Sequence, residues 1–142
     1  MPLIERIDVR LVTSTQNGAG TDGDVYVGVC GREFYLDTDA DDFERASDRT
    51  YTFGTGANVN FAGSNDPHSP YQLFTENLER FPVYIRFEPE SRNDNWQVEL
   101  VEVTVQPGPE QRVFQVLSGD DQLRLGVHSG LQCFLFPAPV IL

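Results

Sequence analysis

The residues best able to do chemistry in this sequence are carboxylates gathered in short, turn-forming stretches. Residues 17–24 read Asn17-Gly-Ala-Gly-Thr-Asp-Gly-Asp24, residues 37–42 read Asp37-Thr-Asp-Ala-Asp-Asp42, and residues 93–95 read Asn93-Asp-Asn95. Asp, Asn and Gly are the default residues of turns, so each stretch alone says only that the chain bends there. Together they offer carboxylate, amide and backbone oxygens, the hard donors that calcium takes six to eight at a time. In an aligned sandwich alternate loops collect at one end, where these acids would repel one another and a bound cation would relieve the repulsion.

Two motif matches fail on context. Gly18-Ala-Gly-Thr-Asp-Gly23 spells Gly-x-Gly-x-x-Gly, but a dinucleotide site needs a helix next, to hold the pyrophosphate at its N-terminus. Here the valine-rich alternation of Asp24–Val29 follows, which is a strand. Asp37 to Asp48 places acids at positions 1, 3, 5 and 12 of an EF-hand loop, yet position 6 is Asp42 where the sharp turn requires Gly. Its carboxylate density still suits a hard cation.

Catalytic signatures are missing: there is no Gly-x-Ser-x-Gly elbow, no His-Glu-x-x-His and no Cys-x-x-Cys. His68, in Asn-Asp-Pro-His-Ser-Pro, reads as an exposed loop residue, and His128 beside Ser129 as a turn residue. The expectation is a non-enzymatic chain. Trp96 alternates with Val98 and belongs to a core, which argues against a carbohydrate-binding platform.

The elements that must position these loops are strands. A period near 2 marks Ile7–Thr13, Asp24–Val29, Arg32–Leu36, Thr50–Phe53, Val83–Phe87, Trp96–Val105, Val113–Leu117, Leu123–Val127 and Leu131–Phe136. The apolar phase slips at Leu100–Val101, which predicts a bulge or a strand passing between environments. Residues 54–76 are broken by Gly, Asn and Pro and form a long excursion carrying Phe61, Tyr71 and Phe74. Only Asp41–Ser47 has room for a short helical turn. Many short strands joined by Gly, Asp, Asn and Pro give an all-β antiparallel sandwich of two packed sheets.

Composition agrees with one folded domain over residues 1–142, with 39% apolar and 11% aromatic residues. The net charge is −12 and all ten basic residues are Arg, a field that repels nucleic acid and bare anionic membranes. The start, Met1-Pro-Leu-Ile-Glu-Arg6, does not read as a signal peptide, and no run approaches the ~20 apolar residues of a spanning helix. Cys30 and Cys133 permit one bridge at most, and two separate thiols in or near strands are the simpler reading.

The same stretches resemble the PLAT/LH2 domain, a β-sandwich of lipoxygenases, pancreatic-type lipases, polycystins and bacterial phospholipase C toxins. Ala19-Gly-Thr-Asp22 with Val25-Tyr-Val27 resembles its first loop and second strand. Asp42-Phe-Glu-Arg-Ala-Ser-Asp-Arg-Thr-Tyr-Thr-Phe53 resembles its Phe…Ala-Ser…Tyr-x-Phe region. Asn77-Leu78, Val83-Tyr-Ile-Arg86 and Asn93-Asp-Asn-Trp96 with Val98–Val105 follow in order. The likeness covers about residues 5–117 and is nearest to the C-terminal domain of the phospholipase C toxins. The 54–76 excursion is longer than usual, and residues 118–142 add a C-terminal strand pair.

The resemblance implies calcium in these loops. Gly20 and Asn95 would offer carbonyls and Asp94 a carboxylate at one site; Thr21, Asp22, Asp41 and Asp42 would form a neighbouring one. Gly18 stands where toxin-like domains carry an acid, which weakens the first site. The function implied is calcium-dependent docking on a membrane lipid surface. Phe61, Tyr71 and Phe74 either insert among its headgroups or pack the 54–76 excursion onto the sandwich. The alternative is a metal-independent protein–protein adaptor.

Overall fold

Alternating apolar and polar side chains carry the described residues into ten strands: β1 (Arg6–Thr13), β2 (Asp24–Val29), β3 (Arg32–Tyr35), β4 (Asp48–Gly54), β5 (Tyr84–Glu88), β6 (Trp96–Val105), β7 (Arg112–Leu117), β8 (Leu123–Leu125), β9 (Gln132–Phe134) and β10 (Phe136–Pro137). They come from a computed structural model that describes residues 2–106, 110–117 and 123–138. One sheet has the order β10-β7-β6-β1-β4, with β8 also on β6; the other has the order β3-β2-β5-β9. All pairs are antiparallel, and the two sheets pack as a sandwich. Ile7, Val9 and Leu11 of the first sheet bury against Val25, Val27, Ile85 and Phe87 of the second. Each such side chain contributes on the order of 1.5–3 kcal/mol of transfer free energy.

The expected phase slip is a bulge in β6. Val12 pairs with Leu100 but Thr13 pairs with Val98, which leaves Glu99 as the extra residue. Without it Trp96 and Val98 would face solvent, because Val101, Val103 and Val105 already occupy the inward phase. The strand also changes neighbours there: Trp96–Val98 pair with β8 and Leu100–Val105 with β7. Trp96 is fully buried, as its alternation with Val98 indicates, and its indole Nε1 donates to Thr13 Oγ1 at 3.0 Å.

The run 131–136 is not one strand. β9 pairs with β5 in one sheet, whereas β10 pairs with β7 in the other, so the chain crosses the sandwich at Leu135. Likewise the stretch expected as Leu123–Val127 ends at Leu125, because Gly126 begins a tight connection bridged to Gly130. The C-terminal strands thus extend both sheets. Nor is 41–47 the helical turn: Phe43 and Ala46 adopt φ of 62° and 64° and the segment folds as two successive turns, whereas a 3-10 turn forms at Thr75–Glu79. Cys30 and Cys133 are separate, buried thiols, and burial pushes Cys30 up to about 11.

The 54–76 excursion lies along one flank of the sandwich. Asn58 Oδ1 accepts from Thr52 N–H at 2.8 Å and its Nδ2 donates to Thr50 O at 2.9 Å, on the free edge of β4. Asn65 Oδ1 accepts from Tyr35 N–H at 2.7 Å, on the free edge of β3. Arg32 reaches the carbonyls of Asp66 and Ser64 at 2.7 and 3.1 Å. Among the described residues no helix is long and apolar enough to cross a membrane.

Candidate functional site

Strands β1, β3 and β5 run toward one end of the sandwich and β2, β4 and β6 run away from it. The connections 14–23, 36–47 and 89–95 therefore meet at that end. Backbone bonds zip the first two together: Thr21 N–H donates to Phe43 O and Ala46 N–H to Ser14 O, both at 3.0 Å. Gly20 is required for this approach, because a Cβ there would sit 2.7 Å from Arg45 N. Beneath them Trp96 packs against Phe43 and Phe87 at 5.4 and 5.8 Å between ring centroids, an aromatic floor under the turns.

Side chains finish the assembly. Thr21 Oγ1 lies 2.7 and 2.8 Å from the two Asp94 carboxylate oxygens and accepts from Gly23 N–H at 2.9 Å. Asp94 also accepts from Glu90 N–H at 2.9 Å. Asp42 receives Thr38 N–H and Thr38 Oγ1 at 2.8 and 2.7 Å and the Tyr51 hydroxyl at 3.0 Å. Burial, then Asp42, drives the Tyr51 pKa upward. Asp42 and Asp94 thus hold the loops in place.

The open carboxylates are others. Asp22, Asp41 and Glu44 are all exposed, and one oxygen from each lies within 4.8 Å of the others. Asp41, and less strongly Asp22, raise the Glu44 pKa by their charge. Three carboxylates from two loops form a hard-oxygen set that fits calcium and offers nothing to softer metals. Asp22 stands between two clefts. A cleft of about 400 Å³ is lined by Gly18, Gly20, Thr21, Glu44, Asn93 and Asp94 beside it. A smaller one of about 130 Å³ is lined by Asp24, Asp37, Asp41 and Asp42.

The structure therefore gathers Gly20, Thr21, Asp22, Asp41, Asp42 and Asp94 at one end. Asn95 is adjacent: its side chain lies against Gly126, with Nδ2 donating to Asn93 O at 3.2 Å, so only its backbone carbonyl, the group expected to serve, is available to the site. Glu44 was not among the expected ligands. Only its neighbourhood to Asp41 and Asp42 signals it, and its position depends on the left-handed Phe43 between them.

The three aromatic candidates are not brought together. Phe61 is 66% exposed and stacks on Tyr35 at 6.5 Å, beside Asn60, whose N–H donates to Asp37 O; this is the flank of the acidic end. Phe74 bridges Leu3, and its carbonyl accepts from the Cys30 thiol, at the opposite end, and Tyr71 lies three residues before it. Among the described residues, the exposed aliphatics at the acidic end are Val127 and Leu131, on the β8–β9 connection whose Gly126 abuts Asn95. His128 is exposed in this same turn, and exposed His68 lies 2.7 Å from Asp66 in its own loop.

No family model matches the sequence, and no curated protein matches it either. Solved structures do. The alpha toxin from Clostridium absonum is 23% identical with a TM-score of 0.62, over 93% of this chain and 31% of the toxin. Coral 8R-lipoxygenase is 18% identical with a TM-score of 0.57, over 93% of this chain and 17% of the enzyme, and is described as calcium-activated through a C2-like domain. The alpha-toxin of an avian Clostridium perfringens strain is 17% identical with a TM-score of 0.52, over 96% of this chain and 30% of the toxin. The chain spans less than a third of these proteins. The sandwich is thus the fold of the PLAT/LH2-type domains that the loops resemble in sequence.

Proposed function

We propose that this domain is a non-catalytic module that binds calcium between its acidic loops and uses it to dock on a membrane lipid surface. The observation that carries the reading is the convergence of Asp22, Asp41 and Glu44, from two separate loops, within 4.8 Å. Uncompensated, three carboxylates at that spacing repel, and the raised Glu44 pKa reports that repulsion. Thr21–Asp94 and Thr38–Asp42 hold the loops that present them, as outer-sphere partners orient metal ligands. A cation there would neutralise the field of a −12 chain locally and leave coordination positions for lipid phosphate.

Apolar contact comes from the same end. Val127 and Leu131 project beside the Asn95 loop, and Phe61 lies on the flank. Tyr71 and Phe74 stand at the far end and belong to a different surface. Co-sedimentation with phosphatidylcholine vesicles, with and without phosphatidylserine, tests the reading. Pelleting with millimolar calcium and release by chelator are expected. Indifference to calcium and lipid together would instead favour a metal-independent protein adaptor.

A further inference from the structure

We propose that β9 is a self-association edge, and that two copies of this chain pair antiparallel through Gln132–Phe134 to join their four-stranded sheets. The inference rests on how the sheet edges are finished, not on the acidic loops. A strand edge presents unpaired N–H and C=O groups, and proteins ordinarily block them with charge, Pro or covering loops. Here β4 is capped by Asn58 at Thr50 and Thr52, and β3 by Asn65 at Tyr35. β8 carries Arg124 at its centre, and β10 ends on Pro137. β9 has none of these devices among the described residues.

The geometry of β9 leaves specific groups outward. Phe87 N–H donates to Leu131 O at 2.8 Å and Leu135 N–H to Val83 O at 2.9 Å, so 131, 133 and 135 face β5. By the alternation of antiparallel ladders, the N–H and C=O of Gln132 and Phe134 then point away from it. Side chains match this opening: Leu131, Phe134 and Phe136 are 41%, 53% and 70% exposed. Residues 129–142 carry no charged side chain in a chain that is 23% charged. Two copies, each of net charge −12, can approach there without setting acid against acid.

Self-pairing is favoured because the segment is its own complement. A two-fold axis at Cys133 sets Gln132 of one copy opposite Phe134 of the other, so every outward N–H meets an outward C=O. Phe134 of each copy then covers the partner's Gln132 stem beside the Tyr84 ring, which already meets Phe134 at 6.0 Å. The pairing uses the edge up on both copies and stops at a dimer.

Sedimentation velocity over a range of protein concentrations, in chelator, tests this independently of any cation or lipid. The expected result is a rise from 16.0 kDa toward twice that mass. Gln132→Pro removes an outward N–H and keeps the bonds to β5; Phe134→Lys places a charge on the edge. Both are expected to abolish the mass increase with the melting temperature little changed, and the Gln132 and Phe134 amides of the wild type to exchange more slowly as concentration rises. A wild type that stays monomeric, a dimer indifferent to Phe134→Lys, or growth beyond a dimer would each overturn the proposal.

Discussion

Thr21 and Asp94 are 73 residues apart in sequence, yet the threonine hydroxyl lies 2.7 and 2.8 Å from both oxygens of the carboxylate. Thr21 is buried, and the same hydroxyl accepts from Gly23 N–H, so one oxygen fixes its own turn and ties it to the 89–95 loop. The acidic end is therefore assembled by side chains before any cation arrives.

Thr21→Val keeps the shape and removes the hydroxyl. Gly23 N–H then loses its partner in a buried setting and Asp94 loses one in a half-buried setting, at a cost of about 1–3 kcal/mol. Thermal unfolding in chelator is expected to show the loss, and Thr21→Ser to restore most of it. Calcium-induced stabilisation is expected to shrink in the valine variant, because Asp22 is the next residue along the loosened turn. A full calcium response with Thr21→Val would separate the tie from the binding site.

Glu44→Gln is expected to act in opposite directions on the empty and loaded domain. The charge of Asp41, chiefly, raises the Glu44 pKa, so the folded state binds this proton more readily than the unfolded chain does. Stability from this group is therefore present at low pH and lost as pH rises from the ordinary Glu range through the raised folded value. At pH 7 the glutamine variant, freed of one like charge, is expected to melt slightly higher than wild type in chelator. Titrated with calcium, it is expected to bind at least about fivefold more weakly, the scale of ~1 kcal/mol for an exposed charge interaction. Isothermal titration and melting curves across pH 4 to 8 read both signs.

Much of this fold was legible because its strands obey a period of 2 and its turns are punctuated by Gly, Asn, Asp and Pro. The phase slip was readable too, as a bulge or a change of environment, because Trp96 and Val101 both read as inward-facing, and the pairing with β1 makes it a bulge. What the alternation could not reveal is which oxygen of a loop points outward. Asp42 and Asp94 look like ligands by type, and the structure gives them a second role, because Thr38, Tyr51, Thr21 and the Glu90 amide also bond to their carboxylates. Glu44 looks like a solvated acid, and a left-handed Phe43 turns it back onto Asp41. The path of the 54–76 excursion was equally hidden. Its asparagines read as breakers, and their role appears only when Thr52 and Tyr35 present edge amides to them.

Trp96→Phe is expected to cost about 2–4 kcal/mol, from lost volume and from the Thr13 hydroxyl left buried without its indole donor. Coupling the change with Thr13→Val is expected to recover about 1 kcal/mol, because the stranded hydroxyl is then gone. Chemical unfolding of the single and double variants measures this. Strict additivity would mean that the indole–hydroxyl bond contributes nothing.

The excursion makes a prediction about solubility as well as stability. Asn65→Ala strips the acceptor from the outward Tyr35 N–H and the donor that Asn65 Nδ2 gives to Phe61 O at 3.0 Å. Asn58→Ala does the same at Thr52 and Thr50 on the other sheet. Each amide lies on a flank open to water once the cap loosens, so the expected loss is about 0.5–1.5 kcal/mol and not the full cost of a buried orphan. The larger consequence is exposure of a pairing-competent edge, and both variants are expected to aggregate faster than wild type below their melting temperature. Light scattering during a slow thermal ramp, read against circular dichroism on the same sample, distinguishes the two effects. Scattering that begins only after unfolding in the variants, as in wild type, would show that Asn58 and Asn65 fix the loop without guarding the sheet.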